Sequence, residues 1–434
     1  MHALYLDWMK ENHPNEQKIA SYRQYCDVFN SEYNISFFVH KKDLCDECVK
    51  YENSSVEEKL RTQQEYDAHR KNKDLAQVMK EADKAVARKK TSTELVVACF
   101  DYEKSLICPK SNASIFYYRR KLGVSNFTIV DVGRNEDSCY VYYDESIARK
   151  GSNDVGSFLQ HFIERKVEAG AKEFRFYSDN CGGHNKNRGV VASFLHAAAK
   201  NDVVIRHRFL EKGHTYNSAD NVHSLIERKS KPLTIYTPDQ WYDVIANAKR
   251  SVSDPIKVFN VDQSMVFDWK DLSDKLNLVK DNNGNAVPWT KLRETFVDGR
   301  SPHTLKYKIN LDDPEVTVST RKVGRPVNLK DFEPKKVYDK PLSITKLKYQ
   351  DLVYYCDHNF IPPEHQAFYR SLAQATEVTG KEVGEADEPE PVAGRARRLK
   401  PRRATSSGGR KTKRPKRTPP NVEEESDSDL SLFD

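Results

Sequence analysis

The sequence predicts an α/β protein whose core is a mixed five-stranded sheet with helices on its faces. Two observations lead to this class. Between about residues 93 and 231, short apolar runs rich in β-branched and aromatic residues alternate with amphipathic segments of helical period. The chain of 434 residues also contains 22 Tyr and 19 Phe, which is enough apolar material for a sizeable core.

The N-terminal arm, residues 1–90, is predicted to be polar and mostly helical. Two overlapping capping boxes start a helix within it, Ser54 with Glu57 and Ser55 with Glu58. Apolar residues then recur at helical spacing and predict a long charged helix that continues almost to the end of the arm.

Three strands and a helix are predicted to follow. TELVVACFDY (93–102) forms the first strand, and NFTIVDVG (126–133) and SCYVYYDES (138–146) form a hairpin around a polar turn. The segment 151–172 is amphipathic with helical period, and Gly170 is suited to end its helix.

Strand and helix then alternate twice. Strands are predicted at 173–180 and 203–213, and helices at 187–201 and 218–231. The order β-β-β-α-β-α-β-α is that of the RNase H-like fold, an antiparallel meander followed by parallel strands. Residues 91–231 are therefore predicted to form an RNase H-like core.

Two further regions complete the chain. Residues 232–376 are predicted to form an α+β extension, and residues 377–434 a disordered tail that is basic and then acidic. The basic block suits a nuclear localisation signal and a nonspecific DNA-binding arm. Its predicted contacts with nucleic acid come from Lys411, Lys413, Arg414, Lys416 and Arg417.

Three acids occupy positions where catalytic carboxylates could meet. Asp101 ends the first strand, Asp179 ends the strand expected beside it, and Asp220 lies in the first turn of the helix after the last strand. Carboxylates grouped at one end of a sheet are suited to a two-metal site with Mg²⁺ or Mn²⁺. Glu227 is a rival third acid, because it shares a helix face with Asp220.

The loop YSDNCGGHNKNRG (177–189) admits several interpretations. Cys181 is a structural thiol or a thiolate nucleophile, and Gly182 and Gly183 are expected to allow a tight turn after Asp179. The spacing does not fit a P-loop. The Asn-Lys-Asn triplet contacts a nucleic-acid backbone or caps the next helix (Asn185, Lys186, Asn187).

The motif CDEC has the spacing of a zinc knuckle. Cys45 and Cys48 would supply two ligands and His69 a third, with Cys26 or His40 as the fourth. The alternative is that the two cysteines are ordinary reduced thiols.

Composition sets limits on partners and compartment. The net charge of +7 favours a polyanionic partner, and no segment approaches the apolar length of a membrane span. The start of the chain is not typical of a signal peptide, so an intracellular, soluble protein is expected. A homo-oligomer stays an open alternative.

The motifs YSDNCGGHNKN and EKGHTYNSADNVHSLIE, with NISFFVHKKDLCDEC and CFDYEKSL upstream, resemble transposon-derived eukaryotic proteins. Those proteins carry an uncharacterised domain similar to a divergent DDE/D transposase core, and the resemblance covers roughly residues 20–375. Related sequences place Asp-Asn before Asn-Lys-Asn. They also have Gly-His-Thr followed, after four intervening residues, by an Asp. The resemblance therefore implies that Asp179 is one of the catalytic acids, and it favours Asp220 over Glu227 as the third.

These observations lead to a nuclear, transposase-like nuclease or strand transferase that acts on DNA phosphodiesters with two divalent metals. The alternative is a domesticated, catalytically inactive protein that binds DNA or chromatin. A third hypothesis is a nuclease of the same fold acting on RNA.

Overall fold

The computed structural model describes residues 2–16, 18–32, 45–89, 94–142, 145–215, 217–249, 255–322, 324 and 326–374. The predicted tail and its five basic residues, Lys411, Lys413, Arg414, Lys416 and Arg417, lie outside the described residues, as does His40. The described part of the chain is a mixed α/β structure with N-terminal helices and one large mixed sheet.

Eleven helices occur in the described part of the chain: α1 His2–Asn12, α2 Tyr22–Glu32, α3 Asp46–Asn53, α4 Val56–Lys89, α5 Ser152–Glu168, α6 Arg188–Asn201, α7 Ser218–Ser230, α8 Gln240–Ala246, α9 Trp269–Lys275, α10 Lys346–Asp357 and α11 Pro363–Arg370. None of these described helices combines the length and the apolar character needed to cross a membrane.

The same residues contain ten strands: β1 Leu95–Tyr102, β2 Leu106–Cys108, β3 Leu122–Asp131, β4 Glu136–Tyr142, β5 Glu173–Ser178, β6 Val204–Phe209, β7 Lys257–Val261, β8 Glu294–Asp298, β9 Thr304–Lys308 and β10 Val316–Ser319. Their order across the sheet is β10-β9-β8-β6-β5-β1-β3-β4-β7, and β2 pairs with β3.

Strand β1 lies near the centre of this sheet. It runs antiparallel to β3 and parallel to β5, and β5 runs parallel to β6. Residues Leu95–Phe100 of β1 are all buried. A strand covered on both faces needs such a continuous apolar run, which explains why LVVACF does not alternate with polar residues.

Each face of the sheet carries its own hydrophobic core. Alternate β1 residues such as Val96 and Phe100 pack with apolar side chains of α5, α6 and α9. The intervening residues, such as Val97 and Cys99, pack with side chains of α7, α8, α10 and α11. The period of two along a strand produces this division.

The predicted elements between residues 93 and 231 form in the predicted order, with β2 as an additional short strand. The sheet is nevertheless larger than the five strands predicted. Strand β7 pairs with β4 at one edge, and β8 to β10 continue from β6 at the other. Strands from the predicted extension thereby satisfy edges whose backbone groups would otherwise be unpaired.

The long helix α4 is anchored to the sheet by a buried charge network. The start of α4 is the capping box of Ser55 and Glu58, whose backbone amides each lie 3.3 Å from the other's side-chain oxygen. Further along, the Asp83 carboxylate accepts a hydrogen bond of 2.6 Å from Tyr177 and pairs with Arg175 and Arg208. Removing one partner would leave a buried charge uncompensated.

Candidate active site

Asp101 and Asp179 lie side by side at one end of the sheet. The parallel register of β1 and β5 pairs Phe100 with Ser178, so the two acids occupy the next positions on neighbouring strands. Adjacent strands are about 4.8 Å apart. Both carboxylates therefore lie at the same end of the sheet, where β1 and β5 end, as the sequence predicts.

Asp220 is brought to this edge by Asn217. The Asn217 side chain donates a hydrogen bond of 3.0 Å to the carbonyl oxygen of Phe100, directly before Asp101. It also accepts one of 3.1 Å from the backbone amide of Ala219 and so caps helix α7. One amide thus ties the start of α7 to β1 and positions the first turn of the helix.

The three carboxylates influence one another electrostatically. The pKa of Asp101 is raised well above its ordinary value, first by burial and then by the charges of Asp179 and Asp220. The pKa of Asp220 is also raised, by partial burial and by Asp179, although 57% of its side chain is exposed, so solvent weakens both effects. Among the described residues, no Lys or Arg forms an ion pair with Asp101 or Asp179. Lys80 lowers the pKa of Asp220 from a distance, so the negative charge of the site is only partly offset.

The loop after β5 orients the Asp179 carboxylate. Its Oδ1 accepts hydrogen bonds from the Cys181 backbone amide at 3.1 Å and from the Asn185 side chain at 2.6 Å. In the described part of the chain both of these hydrogen bonds use Oδ1, so Oδ2 is the oxygen that a further ligand would meet.

The Asn-Lys-Asn triplet points inward, which does not support the predicted contact with a nucleic-acid backbone. Asn185 and Lys186 are 1% and 4% exposed. The Lys186 ammonium donates to Asn180 Oδ1 and to the Thr290 carbonyl, both at 2.7 Å, and burial lowers its pKa to about 7. Asn187 caps α6 by accepting a hydrogen bond from the Val190 amide. The triplet shapes the loop and starts the helix.

The two glycines of the loop do not need to be glycine for the turn. Neither Gly182 nor Gly183 has a positive φ, and a Cβ atom on either would meet nothing within 4 Å. The expected turn forms at residues 182–185, but its backbone does not depend on glycine, and both positions border open space. The pKa of Cys181 is raised by burial and by Asp179, as expected for a thiol and unsuited to a thiolate nucleophile.

Glu227 lies two helical turns beyond Asp220, a rise of about 10 Å. Its charge contributes to the raised pKa of Glu103, which burial brings to about 8. Asp220, not Glu227, acts on Asp101. The structure therefore favours Asp220 over Glu227 as the third acid, and we call Asp101, Asp179 and Asp220 the carboxylate cluster. Unlike the group of cysteines and histidines described below, these three side chains do not each place a ligand atom within 4.8 Å of the others in the described part of the chain.

His223 and Glu103 border this cluster. From the sequence, His223 is interpreted as a water-orienting or metal-proximal residue or as a structural histidine, and only Glu103 is missed. His223 Nδ1 is 3.9 Å from Asp220 Oδ1, and burial lowers the pKa of His223 to about 4, so it is neutral at pH 7. One oxygen of Glu103 accepts a hydrogen bond from Asn126 at 2.8 Å. An acid two residues after Asp101 on the same strand face was the available signal for Glu103.

A second cluster, made of cysteines and histidines, includes His214 from the segment between β6 and α7. One side-chain atom from each of Cys45, Cys48, His69 and His214 lies within 4.8 Å of the others, and we call this group the Cys/His tetrad. The sequence predicted the first three members. Its candidates for the fourth were wrong or lie outside the described residues: Cys26 is not in the group, and His40 is not described.

Comparison with known proteins gives one family match. A model described as "Domain of unknown function (DUF7869)" matches residues 127–294, less than half of the 434-residue chain. The match includes Asp179, His214 and Asp220 but begins after Asp101. No curated protein matches the chain. The description of the family assigns no activity.

Proposed function

We propose that the protein is a transposase-like enzyme that uses Mg²⁺ or Mn²⁺ at the carboxylate cluster to cleave or join DNA phosphodiesters. The observation that carries this proposal is the placement of Asp101 and Asp179 directly after paired residues of two parallel strands, with the start of α7 and Asp220 tied to the same place by Asn217. Burial and the charges of Asp179 and Asp220 raise the pKa of Asp101, in keeping with this proximity. A divalent cation would relieve that repulsion, and carboxylate oxygens are the ligands these cations prefer.

The arrangement of the sheet supports an RNase H-like core. Strands β1, β3 and β4 form an antiparallel meander, and β5 and β6 add in parallel on the other side of β1. Asp101 lies on the central strand, Asp179 follows the neighbouring strand, and Asp220 lies in the helix after β6. Each acid therefore has the topological position expected in that fold.

The residues of the cluster divide the work of holding a metal pair. Asp101 Oδ1 accepts a hydrogen bond of 2.8 Å from the Tyr102 backbone amide. Asp179 is oriented through Oδ1, and Asp220, with 57% of its side chain exposed, faces the solvent from which a substrate would approach. When bound, such metals activate the attacking oxygen and stabilise the leaving oxygen of a phosphodiester.

The test is metal-dependent nicking of supercoiled DNA by the full chain, compared with its Asp179→Asn variant. We expect wild-type cleavage with Mg²⁺ or Mn²⁺, none with chelator, and a loss of about 10³-fold or more in the variant. Asp202→Asn is the matched control, because Asp202 is exposed and has the left-handed conformation that Asn tolerates. Cleavage that persists in Asp179→Asn contradicts the assignment.

The same experiment separates the alternative functions. Tight, salt-dependent DNA binding without cleavage under any divalent metal would favour the catalytically inactive DNA-binding protein. Cleavage of an RNA substrate in preference to DNA, still dependent on Asp179, would keep the site and change the substrate.

A further inference from the structure

We infer that the Cys/His tetrad binds a structural Zn²⁺ ion that joins the N-terminal helices to the segment before α7. Two of its members come from the region of α3, one from α4, and His214 from a loop far along the chain. The assignment of zinc is independent of the proposed nuclease activity.

The distances within the tetrad fit tetrahedral zinc. His69 Nε2 lies 3.4 Å from Cys45 Sγ and 3.5 Å from Cys48 Sγ, and His214 Nε2 lies 3.3 Å from Cys48 Sγ. Tetrahedral zinc with Zn–N of about 2.0–2.1 Å and Zn–S of about 2.3 Å places its ligand atoms about 3.3 to 3.8 Å apart. The three stated distances lie within or close to this range, and the remaining distances between ligand atoms of the tetrad do not exceed 4.8 Å.

The surroundings of His69 resemble the outer shell of a zinc site. Its Nε2 faces the two cysteines, while its Nδ1 lies 3.4 Å from Glu211 Oε1. Glu211 is buried and is held in turn by Arg293 at 2.7 Å. A carboxylate on the far nitrogen of a histidine fixes its tautomer and strengthens it as a metal ligand.

The backbone is adapted to the close approach of the two segments. Gly213 has φ of +72°, and a Cβ atom there would lie 2.5 Å from the Cα atom of Cys45. Only glycine permits this contact without displacement. Cys45 also occupies the N-cap position of α3 without making a side-chain cap hydrogen bond, so its thiol is directed to the tetrad instead.

A site with four protein ligands is closed, which is typical of structural zinc. Cys45 and Cys48 are 5% and 8% exposed, so the tetrad offers little room for a substrate. His214 precedes the capping residue Asn217 by three positions. Zinc would therefore restrain the segment that ties α7 to β1. Because Asp220 lies in the first turn of α7, zinc would also help to hold Asp220 in place, which is the only part of this inference that bears on the proposed function.

The test measures metal directly on the full chain. We expect about one zinc per chain by elemental analysis, and an apoprotein that takes up one Co²⁺ with the intense visible absorption of a tetrahedral site and thiolate charge-transfer bands. Cys48→Ser and His214→Ala should each weaken metal binding more than about 100-fold, beyond the range seen for outer-shell residues.

Cys26→Ser is the matched control, because Cys26 lies outside the tetrad and was the rival fourth ligand. Failure of the folded wild-type protein to bind either metal at one equivalent would overturn the proposal. So would an unchanged Co²⁺ spectrum in His214→Ala. If a variant is insoluble, chelator titration of the wild-type protein decides: hydrogen exchange must rise in the peptides containing Cys45 and His214 and stay constant in α5.

Discussion

The carboxylate cluster and the Cys/His tetrad share one short segment of chain yet differ in every property that matters for a metal. The cluster presents hard oxygen atoms, one of them on a side chain that is 57% exposed. The tetrad presents sulfur and nitrogen atoms, and both of its cysteines are buried. These donor sets select different ions, magnesium or manganese in the first case and zinc in the second.

The two sites also differ in what their metal would change. In the cluster, burial and then the like charges of Asp179 and Asp220 raise the pKa of Asp101, so the fold tolerates both desolvation and repulsion there. In the tetrad, Gly213 and Glu211 are arranged to bring two distant segments together. Under the proposed function the cluster accepts a cost in stability for the sake of its chemistry, whereas zinc at the tetrad would serve stability alone.

The largest effect on stability is expected from Gly213→Ala. Comparison with Gly284→Ala separates the cost of backbone strain from the cost of crowding at the tetrad. The new methyl group would overlap Cys45 in addition to imposing a positive φ, and together these should cost about 3 kcal/mol in the free energy of unfolding. Gly284→Ala is the control, since Gly284 has φ of +85° with nothing within 4 Å of its Cβ position. It should cost about 1 kcal/mol.

Denaturant unfolding of both glycine variants, with and without zinc, checks this prediction. Only Gly213→Ala should also lose zinc affinity. Equal costs for the two variants would show that the loop can move away from Cys45 without penalty, and would remove the argument that the two segments are held in one arrangement.

The sequence predicted the local parts of both sites and missed the parts that depend on distant segments. Cys45, Cys48 and His69 follow from the spacing of a CxxC motif and a nearby helix. His214 follows from neither, because 145 positions separate it from His69 and only the fold joins them. The Gly-His pair before Asp220 was visible, but no spacing rule connects it to cysteines so far away.

The loop after β5 shows the same limit. A polar triplet before a helix is expected at the surface, yet Lys186 is buried and donates a hydrogen bond to the Thr290 carbonyl, more than a hundred residues away. The strand order was predictable because apolar period is a local property. The growth of the sheet to ten strands in the described residues was not, since strand pairing at the edges is a tertiary choice.

An intermediate effect is expected from Asp101→Asn, which removes the repulsion in the carboxylate cluster. Without divalent metal, and at a pH above the raised pKa of Asp101, the variant should be more stable than the wild-type protein because a buried charge is lost; at lower pH, where Asp101 is protonated, this difference should disappear. With Mn²⁺ at about 100 times its dissociation constant, the wild-type protein should gain about 2.7 kcal/mol and the variant much less. Thermal unfolding with and without Mn²⁺ measures both quantities.

Asp202→Asn is again the control and should respond to Mn²⁺ like the wild-type protein. A variant that is destabilised without metal and still stabilised by Mn²⁺ would mean that Asp101 is a structural acid. The carboxylate cluster would then no longer be supported as a metal site, while the inference of zinc at the tetrad would be unaffected.

The smallest effect is expected from Glu211→Gln, which keeps the shape of the side chain near His69 and removes its charge. The imidazole would lose the carboxylate that orients it, so zinc affinity should fall about 10- to 100-fold while the tetrad itself stays intact. Competition with a chromophoric chelator measures this change.

Glu315→Gln is the control, a partly exposed glutamate paired with Lys306 at 2.9 Å and outside the tetrad. Because Glu211 also pairs with Arg293, the unfolding of the zinc-free protein must be measured in parallel. A change in stability with no change in zinc affinity would assign Glu211 to Arg293 alone and leave His69 without an outer shell.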